Sequence, residues 1–328
     1  MKKKDIFALI GGTLGGMSLV CASSAGYIIK EKLVRHAPAI PKPGSIESVD
    51  EMHMDYLRRK GISRIKAQNI EQLELISYDG LRLKGEYIHN TEIARTPGES
   101  VKVVILSHGY GGTGYRDLMI FADFYLKQGF DILIIDQRSH GRSEGTFISF
   151  GYLESEDLGM WVSRVIEIAG TDCKILLHGW SMGAAIVYLA AAKGLPPQVK
   201  GLVYDCGFDS AEAQMFYVAG RNTALPGVVL WWLMQFLKPM TRIIGRFDIR
   251  EASPIKYAGN MHLPVFFVHG KEDSLVPVRM CKRLYRATYR SAYKKMLIVP
   301  GADHTYSYVR DKAGYEAGIK DLITHCMG

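Results

Sequence analysis

The sequence lacks the usual signatures of cofactor, metal and nucleic-acid binding. Its five cysteines, in 328 residues, show no C-x-x-C spacing, so neither a zinc site nor a disulfide framework is indicated. It contains no P-loop, dinucleotide fingerprint or metal-binding histidine cluster. The formal net charge is +8, but the basic residues are scattered and form no stripe with interleaved aromatic residues. We therefore expect no cofactor, no metal and no nucleic-acid partner. The basic surface is either solvated or faces anionic lipid.

Charge is also missing from one long segment near the N-terminus. Three lysines at residues 2–4 precede 24 uncharged residues at 6–29. This length suits a membrane-spanning helix, so we predict a membrane anchor within residues 1–35. A signal peptide cleaved near residues 20–24 is the alternative and would give a secreted protein. Lysines flank both ends of this uncharged segment, so the positive-inside rule barely decides its orientation. The MKKK start favours an N-terminus in the cytoplasm and the rest of the chain outside it. We interpret residues 36–70 as a linker and a polar helix, the helix at about 48–60.

The remaining chain has the pattern of a mostly parallel sheet. Two runs within residues 72–88, on either side of Asp79-Gly80, predict a β-hairpin. From residue 101, short apolar runs alternate with helix-length segments, which is typical of parallel strands covered by helices on both faces. The predicted strands are residues 101–107, 131–136, 174–178, 201–205, 263–269 and 295–299, and the predicted helices are residues 115–128, 154–169, 182–193, 277–289 and 311–325.

The alternation of strands and helices is interrupted once, between residues 205 and 263. This stretch is helical in character and includes VVLWWLMQFL at 228–237. We predict that residues of about 206–262 form a helical cap over the carboxyl edge of the sheet, where α/β folds bind ligands. Its apolar residues either pack a helix pair onto the core or line an acyl or aromatic pocket, and the two interpretations are compatible.

Residues 173–190 contain the strongest single motif. An apolar run is followed by Gly179-Trp180-Ser181-Met182-Gly183 and then by helix-forming residues. This order predicts a strand, a sharp turn and a helix, with a serine hydroxyl held at the carboxyl end of the sheet. The flanking glycines suit a turn in which neighbouring backbone segments come too close for side chains. Ser181 is therefore a candidate nucleophile.

Four motifs together resemble the α/β-hydrolase superfamily over about residues 71–325. They are SHGYGGTG at 107–114, DQRSHGRSEG at 136–145, GWSMGAA at 179–185, and the pair HGKEDSLVP at 269–277 with GADH at 301–304. Within the superfamily the chain is most similar to small bacterial, N-terminally anchored serine hydrolases described as peptidase-like or lysophospholipase-like. The resemblance implies an α/β fold with a mostly parallel central sheet flanked by helices and a helical cap inserted before the seventh strand.

The resemblance and the strand positions also nominate catalytic residues. In this fold the order along the chain is serine, acid, histidine, which gives Ser181, Asp273 and His304. Asp205, at the end of the preceding strand, is the alternative acid. The expected oxyanion donors are the backbone N–H groups of Met182, directly after the nucleophile, and of Tyr110 in the loop after the first parallel strand.

The other polar side chains of these motifs suit supporting roles. We expect His108 to brace the loop of Tyr110 through hydrogen bonds. His140 and Arg142 fit loop structure better than substrate contact. His178 and His269 belong to core strands and fit packing or support better than catalysis.

These residues lead to three functional hypotheses. The first is a serine hydrolase that cleaves carboxylic esters of small acyl substrates through an acyl-enzyme. The second is a peptidase or amidase with the same triad. The third is a non-catalytic, membrane-tethered protein on a hydrolase fold, which the presence of all three triad residues disfavours.

Overall fold

An eight-stranded, mostly parallel sheet forms the centre of the computed structural model, which describes residues 48–96 and 98–328. The strand order is β1-β2-β4-β3-β5-β6-β7-β8. The hairpin β1–β2 pairs antiparallel, β2 pairs antiparallel with β4, and all other neighbours are parallel. The strands are β1 (Asn69–Ile76), β2 (Arg82–His89), β3 (Lys102–Ser107), β4 (Phe130–Asp136), β5 (Lys174–Trp180), β6 (Val199–Asp205), β7 (Val265–Gly270) and β8 (Lys294–Val299).

Helices cover both faces of this sheet. They are α1 (Val49–Lys66), α2 (Gly114–Leu118), α3 (Ala122–Lys127), α4 (Tyr152–Ala169), α5 (Met182–Lys193), α6 (Ala211–Asn222), α7 (Gly227–Ile244), α8 (Val278–Ala287), α9 (Ser307–Arg310) and α10 (Lys312–Met327), with 3-10 turns at Met119–Phe121, Ile249–Glu251 and Pro254–Asn260. Trp161 of α4 and Tyr188 of α5 belong to the core on one face, and Tyr125 of α3 and Ile319 of α10 to the core on the other. With both faces covered, β4 is buried along its whole length, which explains its unbroken apolar sequence. The predicted fold class is confirmed.

Two local features differ from the sequence prediction. The segment predicted as one helix at 115–128 is divided into α2, a 3-10 turn and α3. Helix α1 crosses at this turn so closely that a Cβ on Gly61 would lie 1.8 Å from the Met119 carbonyl oxygen. Helix α1 itself runs to Lys66, beyond the predicted end at about residue 60, and starts with a capping box between Ser48 and Glu51. Neither the crossing nor the length of α1 is encoded in local periodicity.

The cap lies between β6 and β7 and contains α6, α7 and the last two 3-10 turns. Helix α7 is apolar nearly all round, but it is buried on one side only. Leu230, Leu233, Met234 and Leu237 face inward, whereas Val228, Trp231, Trp232 and Ile243 are exposed. The outer side of α7 therefore presents large apolar side chains to solvent.

None of the helices within residues 48–96 and 98–328 is long and apolar enough to cross a membrane. The predicted anchor at residues 1–35 lies outside the described residues, as does the predicted linker up to residue 47.

Candidate active site

Ser181 occupies the sharp turn between β5 and α5. Its backbone has φ 57° and ψ −118°, a conformation that non-glycine residues rarely adopt and that is typically found at functional sites. A Cβ on Gly179 would lie 2.2 Å from the Gly183 carbonyl oxygen, and one on Gly183 would lie 2.0 Å from that of Ser107. Both positions therefore require glycine, and together they allow the turn that holds the Ser181 hydroxyl above the sheet edge.

His304 contacts both Ser181 and Asp273. Its Nε2 lies 2.9 Å from Ser181 Oγ, and its Nδ1 lies 2.7 Å from Asp273 Oδ2. A carboxylate only accepts hydrogen bonds, so Nδ1 carries the proton and Nε2 of a neutral ring is left to accept from the serine hydroxyl. The Asp273 side chain is fully buried, whereas that of His304 keeps 14% of its surface exposed. The structure thus joins the three predicted residues in one hydrogen-bonded series that is open to solvent at the histidine.

Asp273 is held as a carboxylate by donors on both of its oxygens. Oδ1 accepts the backbone N–H groups of Leu275 and Val276, at 2.9 and 2.7 Å. Oδ2 is contacted by His304 and also by His269, whose Nε2 lies 3.1 Å away. Burial by itself would raise the pKa of Asp273, but the hydrogen bonds from His269 and His304 outweigh it and lower the pKa to about 2. The carboxylate is therefore ionised at neutral pH and available to stabilise a charged His304.

His269 lies behind this carboxylate, at the end of β7. Its buried Nε2 donates towards the Val276 carbonyl oxygen, at 2.8 Å, as well as towards Asp273. Burial would lower the pKa of His269, but the contact with Asp273 outweighs that effect and raises it. The structure therefore places His269 in support of Asp273, consistent with the role expected from the sequence.

Asp205, the alternative acid, belongs to a different network. Its Oδ2 accepts from the Tyr315 hydroxyl at 2.7 Å, and that hydroxyl lies 3.0 Å from His178 Nε2. Burial raises the pKa of Asp205 to about 7 despite the hydrogen bond from Tyr315. Among the described residues, the carboxylate hydrogen-bonded to the His304 ring belongs to Asp273 and not to Asp205.

The loop after β3 lies directly against Ser181. A Cβ on Gly109 would be 3.3 Å from Ser181 Cβ and 3.8 Å from its Oγ. His108 holds this loop, because its Nδ1 donates to the Gly109 carbonyl at 2.8 Å and its Nε2 accepts the Gln137 N–H at 3.1 Å. The predicted oxyanion donor Tyr110 follows Gly109, and its ring stacks on Phe150 with 5.6 Å between centroids.

The second predicted donor, Met182, is the first residue of α5. Amides in the first turn of a helix have no acceptor within that helix, and the helix dipole favours negative charge beside them. The N-terminus of α5 and the loop after β3 are therefore both next to Ser181.

His140 and Arg142 support the loops around the site. His140 Nε2 accepts the Gly111 N–H at 3.1 Å, and its Nδ1 donates to the Arg138 carbonyl at 2.9 Å. Arg142 forms ion pairs with Glu86 at 2.6 Å and Asp136 at 2.9 Å. His140 thus connects the loop after β4 to the loop after β3, and Arg142 connects the loop after β4 to β2 and to the end of β4, which fits the loop role expected for both residues.

The chain has an α/β-hydrolase fold, and its similarity to known proteins supports a hydrolase. Residues 98–246 match the family model for serine aminopeptidase, S33. The chain is 27% identical over 256 residues to the uncharacterized protein YqkD of Bacillus subtilis, a match that covers 78% of this chain and 81% of YqkD.

Two solved structures illustrate the shared fold. The Pyrococcus furiosus esterase Pf2001 superposes with a TM-score of 0.63 at 21% identity, covering 80% of this chain and 93% of the esterase. Est1E from Butyrivibrio proteoclasticus with ferulic acid bound superposes with a TM-score of 0.56 at 18% identity, covering 78% and 99% of the two chains. At these identities the likeness establishes the fold, and the reaction must be inferred from the site.

Proposed function

We propose that this protein is a serine hydrolase that cleaves carboxylic esters through an acyl-enzyme, with Ser181 as nucleophile, His304 as base and Asp273 as acid. The observation that carries this proposal is the series from Ser181 Oγ to His304 to Asp273, with contacts of 2.9 and 2.7 Å. A serine hydroxyl is a weak nucleophile until a neighbouring base removes its proton, and the base needs a third group to orient it. The three side chains have the contacts that these roles require.

In the proposed reaction, Ser181 Oγ attacks the ester carbonyl carbon while His304 Nε2 takes the hydroxyl proton. Asp273 stabilises the resulting imidazolium through Nδ1–H. The carbonyl oxygen becomes an oxyanion, which we assign to the backbone N–H groups of Met182 and Tyr110. The tetrahedral intermediate collapses, and the leaving alcohol takes the proton from His304. Water then attacks the acyl-enzyme by the same steps, releasing the carboxylic acid and restoring Ser181.

Peptide or amide cleavage is the second candidate function. The match of residues 98–246 to a family model named for serine aminopeptidases favours it, and the same three side chains would serve. An ester is the preferred substrate because its alkoxide leaves more easily than an amine. The third hypothesis, a non-catalytic protein, conflicts with the strained Ser181 backbone and the complete hydrogen-bonded series.

The experiment compares purified wild type with Ser181→Ala on two substrate panels, p-nitrophenyl esters and aminoacyl p-nitroanilides. We expect ester turnover by the wild type and a loss of about 10⁶-fold in kcat for the variant, which removes only one hydroxyl. Labelling by a fluorophosphonate should require Ser181. Faster turnover of anilides than of esters would favour the peptidase, and more than a few per cent residual activity in Ser181→Ala would contradict the assignment of the nucleophile.

We also infer that the N-terminal segment attaches this hydrolase to the cell membrane, with the catalytic domain outside the cytoplasm. The inference rests on the sequence of residues 1–35 alone. Secretion after cleavage near residues 20–24 remains the alternative.

A further inference from the structure

A large cleft separates the cap from helix α8 and lies outside the proposed triad. Its volume is about 940 Å³, within the range of small-molecule sites, and Ser181, Asp273 and His304 are not among its lining residues. Helices α6 and α7 of the cap form one wall and α8 forms the other. Helix α6 nevertheless contacts the loop that carries Asp273, because Gln214 of α6 donates to the Leu275 carbonyl at 2.7 Å.

The polar side chains of this cleft are mostly arginines. Arg279, Arg283 and Arg286 line it from α8, and Arg221 lines it from α6. The three arginines of α8 are spaced i, i+4 and i+7, so they share one helix face, where like charges repel each other. Grouped positive charges in a concave site create a positive electrostatic potential, which favours the binding of an anion there.

Few carboxylates in the vicinity neutralise these guanidinium groups. Arg283 pairs with the buried Asp209. Arg221, Arg279 and Arg286 form no ion pair with any residue in the described ranges 48–96 and 98–328, although Arg221 Nη1 donates to the Ser274 carbonyl oxygen. The one glutamate of the lining, Glu212, lies 2.8 Å from Lys238. The cleft therefore has an excess of positive charge that a ligand anion would balance.

The cleft is also lined by apolar and aromatic side chains. Phe216, Trp231 and Met234 line it, and the first two keep 38% and 51% of their surface exposed. The Arg279 guanidinium carbon lies 5.2 Å from the centre of the Tyr217 ring, so this arginine contacts an aromatic side chain of the lining. Exposed aromatic side chains next to arginines that form no ion pair suit a molecule with an apolar body and an anionic group.

We infer that this cleft binds an anionic amphiphile, with a phosphate or carboxylate group against Arg221, Arg279 and Arg286 and an apolar body against Phe216 and Trp231. The anion would accept hydrogen bonds from guanidinium groups, which bind planar and tetrahedral oxyanions in pairs of N–H···O contacts. The apolar body would cover side chains that now face water. The inference goes beyond the proposed ester hydrolysis and does not depend on it.

Isothermal titration calorimetry of the full-length chain tests the site with three water-soluble probes: hexyl phosphate, inorganic phosphate and 1-hexanol. We expect hexyl phosphate to bind at least about tenfold more tightly than either of the others, because it alone satisfies both parts of the cleft. Its affinity should fall with added salt, since the contact is charged. Equal affinity for hexanol would overturn the anionic part of the inference, and equal affinity for inorganic phosphate would overturn the amphiphile.

A matched pair of double variants locates the site. Arg279→Gln with Arg286→Gln removes two charges from the cleft and should weaken hexyl phosphate binding about tenfold or more. Lys282→Gln with Arg290→Gln removes the same charge from exposed positions that do not line the cleft, and should weaken it less than about threefold. Equal weakening by both pairs would mean general surface attraction and would overturn the site. Hexyl phosphate carries no carboxylic ester, so these results are independent of whether Ser181 is the nucleophile.

Discussion

Replacing Asp273 by asparagine tests the central contact of the proposed triad. The carboxylate accepts from His304 Nδ1 at 2.7 Å and from His269 Nε2 at 3.1 Å through the same oxygen. Asparagine keeps the size of the side chain but can place an NH₂ group opposite these nitrogens. The His304 ring is then driven to the tautomer with its proton on Nε2, where it can no longer accept the Ser181 proton.

The size of the effect follows from this change of tautomer. In a serine protease with the same arrangement, the corresponding substitution lowers kcat by about 10⁴-fold. That factor is equivalent to about 5.5 kcal/mol of transition-state stabilisation. We expect a loss of this order for Asp273→Asn, with KM changed much less, because Asp273 acts through His304 and is buried away from the substrate.

The assay is kcat and KM for p-nitrophenyl butyrate at pH 8, with circular dichroism to establish folding. Asp205→Asn is the matched control, since Asp205 is also a buried aspartate at a strand end but bonds to Tyr315. It should lower kcat less than about tenfold. A larger loss in Asp205→Asn than in Asp273→Asn would refute the assignment and make Asp205 the functional acid.

Three further predictions concern stability and the N-terminal segment. Burial raises the pKa of Asp205 to about 7, above the unfolded value of about 3.9, so the native state binds this proton more tightly and stability falls as pH rises from about 4 to about 7. Urea unfolding at pH 4.5 and 7.5 should show a loss of about 3 kcal/mol in the free energy of unfolding. Asp205→Asn should remove this loss, and the same loss in the variant would contradict the assignment. Gly183→Ala should destabilise the protein by about 3 kcal/mol, because the added Cβ would lie 2.0 Å from a carbonyl oxygen. Gly159→Ala in α4, where the nearest neighbour of the added Cβ is 3.8 Å away, should instead stabilise the protein by about 0.5–1 kcal/mol. Similar melting temperatures for the two variants would argue against the steric reason. Full-length protein should fractionate with membranes, whereas a chain lacking residues 1–35 should be soluble and active. An intact mass that corresponds to a chain starting near residue 23 or 25 would demonstrate cleavage instead.

Much of the fold is predictable from sequence because it depends on local patterns. The apolar runs at 101–107 and 131–136 predict buried strands, and the structure has β3 and β4 there with ends shifted by one residue. The Gly179–Gly183 motif predicts a turn with two close backbone approaches, and both glycines make them. Both patterns arise from interactions among residues close in sequence. In the strands it is the burial of successive side chains, and in the turn it is steric contact between backbone segments.

Contacts between distant segments are decided only by the tertiary structure. Asp205 and Asp273 both follow sheet strands, and family resemblance ranks them without showing which one the His304 ring contacts. Packing settles that contact, since β6 directs Asp205 towards Tyr315 whereas the turn after β7 directs Asp273 towards His304. Likewise, the crossing of α1 at Met119 accompanies the break in the predicted helix at 115–128.

The arginine cleft is the clearest case of a feature without a sequence motif. Its lining comes from α6, α7 and α8, over residues 210–286, and no short spacing relates Arg221 to Trp231 or Arg286. A periodic pattern shows which face of each helix is apolar or basic, but it does not show which helices face each other. The sequence alone therefore determined the strands, the elbow at Ser181 and the candidates for its partners. The choice between acids and the cleft required the fold, because both depend on side chains that only packing brings within contact.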